Sequence, residues 1–474
     1  MNRNEIPFLS ATELAELLRS RQVSPVEATE AYLARIEQVD PALNSYITIT
    51  AEQARAEARQ AEAEIAAGRN RGPLHGIPVA VKDQFCTDGV LTTGGSSILE
   101  DYVPDYDATV MAKLKDAGAV LLGKLNMSEF AMGDAFHHPY GRPRNPWDLS
   151  RNPGTSSSGS GAATAAFLCA TSLGEDTAGS IRGPAAFCGL VGIRPTWGLV
   201  SRYGMLASTW SMDAAGPISR TVTDCAATLG AIAGYDPNDP YTRNVPVPNY
   251  LDGLDAGVHG LRVGVLSDRV NADGVEPDVR DSVNAAVAHM GELGAEVEEI
   301  SIPLIADSAA ISTTLIYVDA TAVHRQGLRD HPEKYDHNNR VRLLTGALVP
   351  AQAHQKAARL RQMLRDQILD ALSRVDVLAL PASSVQATPI PTEAGLSKNG
   401  KEDFLTMLGG RRTYTSPFNV ASVPALSINC GFTSDGLPVG LQLVGRPFDE
   451  PRVLRAAYAY EQATEWHTRR PPEI

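Results

Sequence analysis

Apolar positions recur at helical spacing through the first seventy residues, then at shorter, strand-like intervals. Ser24-Pro25-Val26-Glu27 combines a capping box with proline at the first helical position, which predicts an amphipathic helix to about Val39. A second helix is predicted from Ala51 to Ala67, rich in Ala, Glu and Arg and stopping near Gly68. From Gly76 the pattern becomes strand, helix, strand: Ile77–Val81, then Ala108–Ala117, then Ala119–Leu122. It recurs as Leu261–Leu266, a helix over Val275–Leu293 and Val297–Ile300. Ala425–Cys430 and Val439–Val444 flank Ser434-Asp435-Gly436 and predict a hairpin of buried strands. Residues 303–372 are more helical, with Pro350 opening the longest helix, and Ser383–Arg412 reads as an irregular loop. The fold class expected is α/β: one large domain, 71–474, with a mixed, mostly parallel central sheet covered by helices on both faces. A helical segment, 1–70, precedes it, and 303–372 forms a helical insertion.

Composition narrows the function classes. The chain has 474 residues, 43% hydrophobic and 20% charged, enough to build a substantial core. Its 42 basic and 55 acidic side chains leave a net charge of −13, which disfavours nucleic-acid and membrane-surface partners. The five cysteines (Cys86, Cys169, Cys188, Cys225 and Cys430) are scattered and never form Cys-x-x-Cys, so buried inert thiols are expected rather than a disulfide framework or a zinc knuckle. The N-terminus carries no secretory pattern, and no apolar stretch approaches the ~20 residues that cross a bilayer. A cytoplasmic protein is expected.

Two turns rich in small residues stand out: Asn152–Gly161, followed by the small-residue helix Ala162–Ala166, and Gly174–Pro184. Gly154 and Gly159 have P-loop spacing, but Ser160 stands where the lysine belongs. Gly159-x-Gly161 is followed by Thr164 where a dinucleotide fingerprint needs Gly or Ala. Neither turn contains Gly-x-Ser-x-Gly, and the chain contains no Ser-x-x-Lys and no His-Glu-x-x-His. Acyl transfer by a serine whose base is lysine fits better. Lys82 follows an apolar strand, where desolvation would favour the neutral amine that can accept a proton. A serine hydroxyl needs such a base before it becomes a nucleophile.

With these motifs in hand, the sequence resembles the amidase signature family, whose members use a Ser–cis-Ser–Lys triad. The likeness runs from about Ser24 to Arg446 and is weakest between Pro303 and Arg412. It implies that Lys82 is the base, Ser156 the bridging serine on a non-proline cis peptide, and Ser180 the nucleophile. It also implies the amidase signature fold, with Ser157, Asp176 and Arg182 supporting the site. The turn Thr177-Ala178-Gly179-Ser180 would aim successive backbone N–H groups at a developing oxyanion, each such donor typically worth ~3 kcal/mol. No metal or organic cofactor is expected. A homodimer through the N-terminal helices is expected only from likeness to the family.

The substrate is read from departures within the family. Lys124–Gly133, Arg144–Asp148 and Leu437–Leu443 echo the glutamine-hydrolysing subunit of tRNA-dependent amidotransferases. Thr155, Ser158 and Ala178 replace its glycines, and Arg412 stands where an acidic residue would pair the amino group of glutamine. The expected activity is therefore hydrolysis of a small amide, aryl amide or carbamate, the alternative being the glutaminase subunit of such an amidotransferase. Met132, Phe136, Tyr140, Trp210 and Arg412 are the candidate pocket residues. His137 and His138 stand side by side without further residues resembling a ligand set.

Overall fold

The computed structural model describes residues 3–132, 135–392 and 412–474, without the side chains of Arg412 and Thr413. Eleven strands, β1 (Tyr46–Ile49), β2 (Pro78–Lys82), β3 (Val120–Leu125), β4 (Thr171–Glu175), β5 (Val191–Arg194), β6 (Ala215–Ser219), β7 (Arg262–Val265), β8 (Glu296–Glu299), β9 (Val377–Pro381), β10 (Ala425–Phe432) and β11 (Pro438–Val444), build one sheet. Their order is β1-β3-β2-β4-β6-β5-β10-β11-β9-β7-β8. The protein is a single α/β unit with a large mixed sheet flanked by helices.

The sheet is parallel in two wings, β3-β2-β4 and β9-β7-β8, and antiparallel across the middle and at the β1 edge. The expectation of a mostly parallel sheet is thus corrected. It came from the strand–helix–strand units that form the wings, whereas the middle is built from antiparallel neighbours, the consecutive pairs β5–β6 and β10–β11 joined through the long-range pair β5–β10. The first seventy residues are not purely helical either, because β1 pairs antiparallel with β3 at the sheet edge. Its four residues are too few to interrupt the helical pattern around them.

Helix boundaries follow their capping chemistry. Ser24 and Glu27 form the expected reciprocal box, and the helix runs Pro25–Leu43 to a left-handed cap at Asn44. The longest helix is Ala351–Arg374, directly after Pro350. β2 is buried along its whole length, as expected of a strand flanked by parallel neighbours. At the opposite edge β8 is exposed throughout, and its glutamates blunt it against pairing with another chain. All five cysteines are buried and unpaired in disulfides. Among the described residues no helix is long and apolar enough to cross a membrane.

Candidate active site

Strand order brings charge to one end of the sheet. Lys82 closes β2 and Glu175 closes β4, its parallel neighbour in register through Val81 and Leu173. β6 returns antiparallel with Ala215 opposite Glu175, so Asp213, two residues upstream, arrives at the same end. Open α/β sheets offer their binding crevices there, beyond the carboxyl ends of parallel strands.

The two small-residue turns close over this end. The Thr155–Ser156 peptide is cis. Gly154 has φ +97°, and a Cβ on it would lie 2.6 Å from Pro184 Cα, so the first turn touches the second backbone to backbone. That contact is the physical reason for the glycine there. Ser157 ties the turns to the sheet: its hydroxyl donates to the Glu175 carbonyl at 3.2 Å and accepts from the Glu175 N–H at 3.3 Å.

Lys82 Nζ lies 2.7 Å from Ser156 Oγ and 3.1 Å from Glu175 Oε2, with all three residues buried. Burial pushes the Lys82 amine below its ordinary range, and the Glu175 carboxylate opposes that shift. The Thr177 hydroxyl lies 2.5 Å from Glu175 Oε1 and 2.7 Å from Asp213 Oδ1. Burial, and then the Glu175 charge, raise the Asp213 carboxyl to about 7. Ser180 is half-buried in the wall of a cavity of about 170 Å³ that Ser156 also lines.

Asp176 and Arg182 form a fully buried ion pair at 3.0 Å. Burial alone would raise the Asp176 carboxyl; the Arg182 and Arg194 guanidiniums and the Asn419 amide overturn that and hold it below the usual carboxylate range. Its two oxygens accept from the N–H groups of Gly179 at 2.7 Å and Ile181 at 3.1 Å, which fixes the turn around Ser180. The expected set of oxyanion donors is corrected accordingly. The Gly179 N–H is committed to Asp176, leaving Thr177, Ala178 and Ser180 of the four amides in the turn.

The cavity wall differs from the one expected. Met132 lines it. Phe136, Tyr140 and Trp210 do not, because each aromatic ring finds a partner elsewhere. The Arg142 guanidinium sits 4.1 Å from the Phe136 ring centre, and the Tyr140 hydroxyl donates to the Ser96 carbonyl at 3.1 Å. Trp210 is 47% exposed and shares Arg202 with Tyr241. The side chain of Arg412 lies outside the described residues. His137 Nδ1 lies 3.6 Å from Asp336.

The helical insertion supplies what was missed: Ile316, Tyr317 and Ala320 from the helix Ser308–Val323, and Arg342 and Leu343 from the helix His337–Ala347. Arg342 is the one charged side chain in the described lining. Its Nη1 donates to Met132 O and to Asn339 Oδ1, while among the described residues its buried Nε has no hydrogen-bond partner. Nothing in the local sequence around Arg342 marks it. Glu175 was within a highlighted turn, and only its place as the last residue of a strand distinguishes it.

Comparison with known proteins places this architecture among relatives. The family model described as Amidase matches residues 27–454. A glutamyl-tRNA(Gln) amidotransferase subunit of Moorella thermoacetica (strain ATCC 39073 / JCM 9320) is 46% identical, across 98% of this chain and 99% of its own. A solved chain from a vestigial protein complex bearing on the evolutionary origins of an s-triazine catabolic enzyme superposes with a TM-score of 0.88 at 34% identity, covering 96% of this chain and 98% of that one. The peptide amidase PAM, solved with the competitive inhibitor chymostatin, gives a TM-score of 0.85 at 32% identity over 98% and 99% of the two chains.

Proposed function

This chain belongs to the amidase family, and we propose that its Lys82, Ser156 and Ser180 hydrolyse a carbon–nitrogen bond through a seryl acyl-enzyme. The observation that carries the reading is the 2.7 Å approach of a buried lysine amine to Ser156, at the edge of the cavity that Ser180 lines. The neutral amine takes a proton from Ser156 as Ser156 takes one from Ser180. Ser180 Oγ bonds to the carbonyl carbon, and the negative charge gathers on the carbonyl oxygen facing the amides of Thr177, Ala178 and Ser180. The stored proton returns through Ser156 to the leaving nitrogen as the C–N bond breaks. Water then repeats the sequence on the ester and restores Ser180.

For the substrate, the relatives favour glutamine as the amide donor, in the role of an amidotransferase's glutaminase subunit, over the stand-alone activity expected from the sequence. Arg342 supports a substrate that carries a carboxylate, since the one cation among the described lining residues of a small cavity attracts an anion. A second reading keeps the stand-alone amidohydrolase of small amides or carbamates. It is favoured by Thr155, Ser158 and Ala178 and by the likeness to a peptide amidase.

Ammonia or amine release from glutamine, small amides, aryl amides and carbamates tests both readings, with the purified chain alone and with the other amidotransferase subunits and charged tRNA. Glutaminase activity that appears only with those additions supports the amidotransferase reading, and turnover by the lone chain supports the second. Lys82→Ala and Ser180→Ala are expected to lose at least ~10²-fold in turnover while remaining folded. Near wild-type turnover in Lys82→Ala would remove the base assignment.

A further inference from the structure

Lys82 does not face its serine alone. Three adjacent strands, β2, β4 and β6, deliver an amine and two carboxyl groups to one buried end of the sheet. Glu175 Oε2 contacts the amine at 3.1 Å, and its other oxygen reaches Thr177, whose hydroxyl also touches Asp213. A hydroxyl has one proton to give. When Thr177 donates to one of these carboxyls, the other must donate to Thr177, so the geometry places one proton and one negative charge on the Glu175–Asp213 pair. Burial, and then the Glu175 charge, raise the Asp213 carboxyl to about 7, which favours Asp213 as the holder of that proton. The remaining carboxylate nearby, Asp176, is already matched by Arg182 and Arg194.

We propose that Glu175 is a positioning residue for Lys82: its carboxylate aims the amine at Ser156 and holds the ammonium that forms each time a proton leaves Ser180. The proposal rests on the base role given to Lys82 above. It assigns a task to a buried acid that the proton relay itself does not require. A lysine buried alone would lose proton affinity to desolvation and would store the proton poorly; a carboxylate at 3.1 Å restores it. Asp213, neutral behind Thr177, keeps Glu175 charged without adding a second negative charge.

Removing the carboxylate destabilises the ammonium, so Lys82 becomes neutral at lower pH and the acid limb of Ser180 reactivity moves down. An opposite charge at this range typically shifts a titration by ~1 pH unit or more. The experiment uses the full chain and an alkyl fluorophosphonate, following the rate of Ser180 labelling against pH in wild type, E175Q and E175D. The midpoint is expected to fall by ~1 pH unit or more in E175Q and to stay near the wild-type value in E175D. E175S, equally neutral and smaller, takes the place of E175Q if that variant does not fold. A folded neutral variant with the wild-type midpoint would overturn the proposal, whatever its absolute rate, because a purely structural role changes rates and melting but not the midpoint. Absence of wild-type labelling at Ser180, or unchanged labelling in Lys82→Ala, would instead overturn the base reading itself.

Discussion

Replacing Arg182 by methionine isolates the brace behind the Ser180 turn. The guanidinium makes five side-chain hydrogen bonds: two to Asp176 and one each to Asn419, Gln442 and the Thr415 carbonyl. Methionine fills much of the volume but leaves the Asp176 carboxylate buried, with Arg194 at 3.9 Å as its nearest remaining cation. Stripping one partner from a buried ion pair costs about 3–5 kcal/mol. Unfolding entropy of roughly 2.1 cal/mol/K per residue makes about 1 kcal/mol/K for a chain of this length, so the midpoint should fall by about 3–5 °C at pH 7. The loss also has a pH signature. In the wild type the Asp176 carboxyl is held below the ordinary range, so its contribution is present above about pH 4 and fades only as pH falls through that lower value. In Arg182→Met only Arg194, Asn419 and the turn's N–H groups still oppose burial, so the carboxyl rises from its wild-type range, takes up a proton at higher pH and relieves the buried charge. Calorimetry at pH 7 and pH 5 should therefore find the gap between the two proteins narrowing at the lower pH. A gap below about 1 °C at pH 7, or one that widens at pH 5, would contradict the buried-charge account.

Other perturbations follow from the same contacts. Gly179→Ala places a methyl against the Thr415 hydroxyl at φ +122°, and should destabilise the chain by about 1–3 kcal/mol in denaturant unfolding and slow Ser180 labelling. Arg342→Met should raise KM for carboxylate-bearing amides about 10-fold or more and leave neutral amides nearly unchanged, since it removes the cavity's one described cation. Glu129 accepts from Ser96, Asn339 and the Asp336 N–H in a buried setting that raises its carboxyl to about 7. Its folded form holds a proton that the unfolded chain releases above about pH 4.5, so native stability declines as pH rises toward 7. Glu129→Gln should accordingly be more stable than wild type above pH 7 by more than about 1 kcal/mol, with the difference fading toward pH 4.5.

Elements whose signals are local were legible in the chain alone. The Ser24–Glu27 box set a helix start, because the two side chains satisfy each other's backbone within one turn. The apolar run before Lys82 marked a buried strand with a charge at its end, and the paired small-residue turns flagged a place where backbones meet closely. Lys82, Ser156 and Ser180 could be singled out from those motifs and the family likeness. Whatever depends on which strands lie side by side emerged only on folding. Glu175 and Asp213 reach the Lys82 end of the sheet only because β4 lies between β2 and β6, a neighbour relation no sequence spacing encodes. The β5–β10 and β9–β11 pairings in the middle of the sheet and the short β1 edge have the same origin, since those pairing partners are far apart along the chain. Phe136 and Trp210 looked like pocket aromatics because a ring's chemistry is legible, but their rings went to Arg142 and Arg202 once those cations came within reach. Arg342 reached the cavity for the complementary reason: a distant helical insertion folded over the sheet end and carried an otherwise unremarkable cation with it.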